Sequence, residues 1–141
     1  VHDEHINVRA IYDRIHRSTR AIKSLLLDQT ILCGLGNIYV DETLFLAKIH
    51  PETSGNQLTM RHVNHIISSA QTVVKKAIQL GGTTIRTYQS TFGIDGRFQN
   101  ELNVHTLKGE PCPRCSEKIL KIKVGGRGTY FCPQCQRKGV L

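Results

Sequence analysis

Four cysteines near the end of the chain carry the clearest chemistry in the sequence. Cys112-Pro113-Arg114-Cys115 and Cys132-Pro133-Gln134-Cys135 are separated by sixteen residues, Ser116 to Phe131. Each CxxC pair offers two thiolates from one tight turn, and the spacer is long enough for a hairpin that brings the second pair back to the first. Four thiolates at tetrahedral geometry suit one structural zinc ion, and the spacing is that of a zinc ribbon. Two disulfides, or a thiol redox switch, would use the same residues. Nothing else in the chain points to a secreted, disulfide-built protein, and paired CP-x-C turns favour a structural metal.

A second constellation lies earlier, in Gly34-Leu35-Gly36-Asn37. Glycines at the start of a helix let a phosphate approach backbone N–H groups that have no partner within the helix, where the helix dipole is positive. The Asn37 side chain adds a hydrogen-bonding group, or serves as the helix N-cap. There is no Gly-Lys-Ser/Thr, so a nucleic-acid phosphate is the expected ligand rather than a nucleotide. The motif alone fits an ordinary tight connection equally well. Lys23, one helix earlier, could bring its ammonium to the same phosphate. Arg127 sits among the glycines of Val124-Gly125-Gly126-Arg127-Gly128, where a turn would project it toward a groove or a phosphate. Cys33 reads as a small buried hydrophobe. His62 and His65, three apart, have no evident third ligand and read as surface residues. Asp41-Glu42 reads as an acidic pair favouring a helix dipole.

These groups need elements to hold them. Helices are expected at about 7–17, 21–29 and 38–48, the last ending at Ile49-His50-Pro51. The clearest helix follows Thr59 as its cap. It carries Val63, Ile66, Ile67, Ala70, Val73, Val74, Ala77 and Ile78 as one apolar stripe, and Gly81-Gly82 stops it. Thr83 to Tyr88 reads as a further short turn and Ser90 to Arg97 as a mobile loop. Beyond Leu107 the helical period is lost. Leu120, Ile122 and Val124 alternate with Ile119, Lys121 and Lys123, and Thr129 to Phe131 reads as the returning strand.

The bulk numbers are compatible with this. A chain of 141 residues with 39% hydrophobic content fits one domain, or one domain plus a small module. Nineteen Lys and Arg against eleven Asp and Glu leave a net charge of +8, which favours a polyanionic partner. No apolar run reaches the roughly 18 residues of a membrane span. The opening Val1-His2-Asp3-Glu4-His5 lacks the pattern of a signal peptide, and a piece of a longer protein is expected.

Together these residues resemble the C-terminal half of the formamidopyrimidine-DNA glycosylase family. The matching stretches are Ile22-Lys23 with Leu25 to Gln29, Gly34 to Glu42, Ile49-His50-Pro51, Gly81 to Arg86, Phe98 to Leu102, and CPRC…VGGRGTYFCPQC. The resemblance covers about residues 9–137. It implies a mostly α fold with a small β zinc ribbon: a helix–two-turn–helix domain over 1–106, then an antiparallel zinc finger over 107–141. It further implies that Lys23, Gly36, Asn37 and Arg127 hold DNA phosphates beside a lesion. Arg127 would be the proton donor of δ-elimination, and the loop at about 89–98 would close over the extruded base. Cys112, Cys115, Cys132 and Cys135 would hold the zinc. The implied partner is double-stranded DNA carrying an oxidised purine or abasic site. The implied setting is a bacterial cytoplasm, with the protein a monomer. The family's nucleophile, an N-terminal proline amine on a preceding domain, has no counterpart here, so this stretch alone is expected to be inactive. Val104-His105-Thr106-Leu107 stands where the family usually has Val-Tyr-Gly-Arg, and Val40 replaces an alanine. The rival expectation is a non-catalytic zinc-ribbon module binding nucleic acid or protein.

Overall fold

The computed structural model describes residues 7–28, 36–81 and 101–139. Among the described residues four α-helices come first, then a two-stranded antiparallel hairpin. The expected mostly α fold with a small β ribbon is what forms. The cysteine at 33, the turn at 83–88 and the loop at 89–98 lie outside the described residues.

Helix α1 spans Val8–His16, and Asn7 caps it by accepting the Ala10 N–H at 3.1 Å. Its Ile11 and Ile15 are buried. Helix α2, Ile22–Leu27, is shorter than its apolar pattern implied. Its first N–H groups are already satisfied: Ile22 donates to Thr53 O at 2.7 Å and Lys23 to Pro51 O at 3.2 Å. The loop that caps α2 closes over Gly55, where a Cβ would collide with the Ile15 carbonyl and lie 2.7 Å from Leu25 Cδ1. A short 3₁₀ turn, Gly55–Gln57, follows from that contact.

Helix α3, Asn37–Ala47, begins one residue earlier than the sequence implied. Gly36, not Asn37, is its N-cap, and Lys48 ends it in the left-handed conformation (φ 59°), three residues before the proline. Most of α3 is buried: Val40 to Phe45 and Ala47. A helix buried on most sides runs through the centre of a fold rather than along its surface. Helix α4, Met60–Gly81, packs against α3 and α1. Thr59 caps it as expected. His62 N–H donates to Thr59 Oγ1 at 3.3 Å, while the Thr59 N–H donates to His62 Nδ1 at 3.0 Å. This is a capping box with histidine in the place usually taken by glutamate. The α4 stripe is buried at Val63, Ile66, Ile67, Ala70, Val73 and Ala77, whereas Ile78, expected in it, is 44% exposed.

One apolar core joins α1, α2, α3 and α4 through Ile15, Leu26, Leu44, Leu58 and Ile66, among others. Strands β1, Leu120–Val124, and β2, Arg127–Phe131, pair in register from Leu120↔Phe131 to Val124↔Arg127. Gly125 and Gly126 both take positive φ, 57° and 81°, as a two-residue hairpin turn requires. Arg127 is therefore the first residue of β2 rather than the tip of the turn. Ile119, grouped by alternation with the outward lysines, is buried. It lies before β1, exchanging bonds with Gly109 and Glu110, and packs with Phe45, Val104 and Cys132. Leu120, on the face of Phe131, stays 43% exposed.

Candidate nucleic-acid interface and metal centre

The four cysteine Sγ atoms lie within 4.8 Å of one another. Cys112 to Cys135 measures 3.8 Å and Cys115 to Cys132 3.4 Å. A tetrahedral Zn–S bond of about 2.3 Å requires sulfur separations of roughly 3.8 Å, so the donor set and its spacing fit one zinc ion. Two backbone groups orient the sulfurs: Arg114 N–H points at Cys112 Sγ at 3.3 Å, and Cys135 N–H at Cys132 Sγ at 3.4 Å. Burial pushes the Cys132 thiol up to about 12. Burial also raises Cys112, but hydrogen bonds from the N–H groups of Arg114 and Cys115, with those of the Cys132 and Cys115 side chains, together outweigh it and leave that thiol below its ordinary value. Metal binding displaces these protons, so affinity falls as pH falls. Among the described residues this is the one cluster of metal-binding character. His62, engaged as a cap, takes no part in it.

The cysteine turns also dock the finger onto α3. Arg114 donates to the Phe45 carbonyl at 3.0 Å and the Leu46 carbonyl at 3.3 Å, and its guanidinium lies 4.4 Å from the Phe45 ring centroid. It thereby adds a donor to carbonyls of the last turn of a helix; the Phe45 carbonyl also accepts the Lys48 N–H at 3.1 Å. Gln136 is buried between the two parts. It accepts the Cys132 N–H at 2.8 Å and donates to Ile49 O at 3.1 Å. Sequence reasoning missed both. Their partners lie 69 and 87 residues away, and no local pattern marks them.

The sequence alone presents Asp41 and Glu42 as a pair favouring a helix dipole. They are not in the first turn of α3, and both are buried, with 1% and 2% exposure. Asp41 Oδ1 accepts Lys23 Nζ at 2.6 Å, and Oδ2 accepts both His105 Nδ1 at 2.7 Å and the Tyr130 N–H at 3.2 Å. A carboxylate only accepts, so His105 carries its proton on Nδ1 here. Glu42 holds three consecutive backbone amides, those of Asn103, Val104 and His105, at 2.8, 2.9 and 3.0 Å. Buried charge is tolerated only when it is paired and its lone pairs are filled. These two carboxylates meet that condition by tying the approach to the finger, and the finger itself, to α3.

Lys23 is fully buried. Besides Asp41, it donates to Gly128 O at 3.0 Å, and Asn37 Nδ2 donates to the same carbonyl at 3.1 Å. Burial pulls the Lys23 ammonium below its ordinary pKa; Asp41 opposes this and the charge of Arg127 adds to it. Asn37 Oδ1 is buried without a partner among the described residues. Gly36 lies beside it, and a Cβ there would meet nothing within 4 Å. So Lys23 and Asn37 converge on Gly128, the residue after the exposed Arg127, with the open backbone of Gly36 alongside.

Comparison with known proteins agrees with this arrangement. A model of the formamidopyrimidine-DNA glycosylase H2TH domain matches residues 1–89, and a zinc finger found in FPG and IleRS matches residues 109–137. A formamidopyrimidine-DNA glycosylase of Mycoplasma mobile is 50% identical over 132 residues, covering 94% of this chain and 48% of that protein. One from Lactococcus lactis subsp. lactis is 53% identical over 126 residues, covering 89% and 46%. Among solved structures, LlFpg in complex with a THF-DNA and an inhibitor superposes with a TM-score of 0.83 at 51% identity, covering 94% of this chain and 48% of that one. MutM in complex with carbocyclic 8-oxo-G containing DNA gives 0.82 at 48% identity, with the same coverage. The chain spans about half the length of the curated relatives it matches. On the helical match, the finger match and these relatives, the chain belongs to the formamidopyrimidine-DNA glycosylase family.

Proposed function

We propose that this chain is the DNA-gripping half of a bifunctional DNA glycosylase and AP lyase that removes oxidised purines in base excision repair. On this reading residues 1–106 form the helical DNA-binding unit and 107–141 the zinc finger, with Cys112, Cys115, Cys132 and Cys135 as ligands of one structural zinc. Gly36, Asn37 and Arg127 hold phosphates of duplex DNA beside an oxidised purine or abasic site. Lys23 contributes its charge from beneath, through Gly128. In the whole enzyme Arg127 donates a proton in δ-elimination. The enzyme works as a monomer in the bacterial cytoplasm, with the chromosome.

The observation that carries this reading is the convergence of Lys23 and Asn37 on the Gly128 carbonyl, which fixes the backbone next to Arg127. Residues from both matched segments thus meet at one spot. The partner is supported by the relatives, whose structures hold DNA with abasic sites or oxidised lesions, and by the net charge of +8. No described helix is long and apolar enough to cross a membrane.

Two measurements test it. The chain should bind a duplex with a stable abasic analogue at low salt, and Asn37→Ala and Arg127→Ala should weaken that binding. Borohydride should not trap this stretch on abasic DNA, since no residue here matches the family's nucleophile. Trapping would place the chemistry on this half and sink that part of the proposal. Absence of any DNA binding at low salt, where phosphate contacts are strongest, would favour the protein-binding zinc-ribbon alternative.

A further inference from the structure

An open cleft of about 240 Å³ lies between α2 and the hairpin turn, lined by Arg20, Ser24, Asp28, Gly125 and Arg127 among others. We propose that this cleft seats a DNA backbone phosphate, and that Arg20 is its second arginine, facing Arg127. The inference rests on the DNA-gripping reading and adds a residue to it.

The cleft has fixed walls. Arg20 is anchored through its backbone: its N–H donates to Ser18 Oγ at 3.1 Å, and its carbonyl accepts Gly55 N–H at 3.0 Å. Across the cleft, Gly125 comes so close to α2 that a Cβ there would lie 2.8 Å from Ser24 Oγ. The hairpin turn therefore stands against α2, and Arg127 starts β2 from that turn. Two guanidiniums and a hydroxyl line the space against one carboxylate, Asp28.

Asp28 does not close the site to an anion. Its contact with Arg20 is 3.8 Å long, and the Arg20 side chain is 58% exposed. Such a pair is weak and screened by salt. A phosphate offers the planar guanidinium a shorter, two-pronged, charge-assisted contact, and Arg20 can exchange one partner for the other. Arg127 makes the cleft more positive still, and its charge reaches far enough to help depress Lys23 beneath it. Phosphodiester DNA is the ligand chosen because Arg127, which lines this cleft, is followed directly by Gly128, whose carbonyl Asn37 and Lys23 hold.

The test is the salt dependence of duplex binding by the whole 141-residue chain, compared across single variants. Each phosphate contact adds about 0.9 to the slope of log affinity against log salt concentration. Arg20→Gln should lower that slope by about one and weaken binding at low salt, and Arg20→Lys should restore most of both. Arg9→Gln, an exposed α1 arginine outside the cleft, should change neither. Thermal melts of the variants should match wild type. If Arg127→Gln weakens binding but Arg20→Gln leaves slope and affinity unchanged, the cleft proposal is overturned and the broader reading stands. An equal loss in Arg9→Gln would also overturn it, as diffuse charge rather than a seat. Failure of the wild-type chain to bind duplex at low salt would overturn both.

Discussion

The helical part and the finger are held together by opposite means. The helical part buries a continuous apolar core drawn from four helices, with Ile15, Ile22, Leu26, Leu58 and Ile66 fully enclosed. The finger's buried cluster is small: Phe45, Val104, Cys112, Ile119 and Cys132, of which Phe45 comes from α3 and two are cysteines of the metal site. A single two-stranded hairpin is marginal in water and needs further support. It draws that support from the metal site and from polar contacts with the helices: Lys23, Asn37 and Asp41 on its strands, and Arg114 and Gln136 on its cysteine turns. One part is specified by apolar area, the other by satisfied polar groups. A polar contact fixes position more narrowly than an apolar one, because it is directional. That suits an element whose task, on the proposed reading, is to hold one arginine in place.

The comparison is broken most sharply at Asp41. Asp41→Asn leaves the fully buried Lys23 ammonium without its counter-charge, a loss of about 3–5 kcal/mol by analogy with other buried pairs. Faster amide exchange should appear in β2, at Tyr130 above all, and DNA binding should weaken even though Asp41 touches no DNA. Unchanged exchange in β2 would show that the finger does not depend on this hub. Gly55→Ala attacks the other part. The added methyl meets the Ile15 carbonyl, and overpacking of this kind costs about 1–3 kcal/mol. Denaturant melts should show the helical part weakened, with the finger losing its support in the same transition.

A gain is expected at Thr106. It takes φ 65°, a left-handed conformation that strains a β-branched residue, where the family usually has glycine. Thr106→Gly should stabilise by about 1 kcal/mol in a chemical melt, since the left-handed penalty is about 1–2 kcal/mol. A loss there would mean that the Thr106 hydroxyl bond to the His105 carbonyl, at 2.5 Å, outweighs the strain. The smallest effect concerns His50, buried with its Nδ1 accepting the Glu52 N–H at 3.0 Å and its ring edge-on to Phe131. Burial lowers its pKa below the usual 6.5. The folded chain then binds fewer protons than the unfolded one, so stability rises with pH. The contribution is complete above about pH 6.5 and is lost as pH falls through that value toward the lowered folded pKa. His50→Gln should flatten the stability profile in that window; an unaltered profile would assign the dependence to another group.

What could be read in advance follows the same division. The helical part announced itself, because burial repeats at helical spacing: Ile11 and Ile15, Ile22 and Leu25, and the α4 stripe were all visible. The cysteine spacing likewise fixed the character of the metal site. What could not be read was the polar docking. Asp41 reaches Lys23 across 18 residues and His105 across 64, and Arg114 reaches Phe45 across 69. Such contacts leave no periodic trace. Gly55 carries no local signal, since its reason is a backbone from another helix. The sequence reads Lys23 as a phosphate ligand. Its burial against Asp41 followed from α3 being enclosed, and local pattern alone gives no sign of that.

The most direct test is duplex binding before and after zinc chelation, with helical content followed in the same samples. If the grip is shared, chelation should abolish most binding while the far-ultraviolet helical signal of α1 to α4 is largely kept, and added zinc should restore binding. Undiminished binding by the chelated chain, with its helices intact, would contradict the account: the helical part would hold DNA alone, and the placing of Arg127 by the finger would not matter.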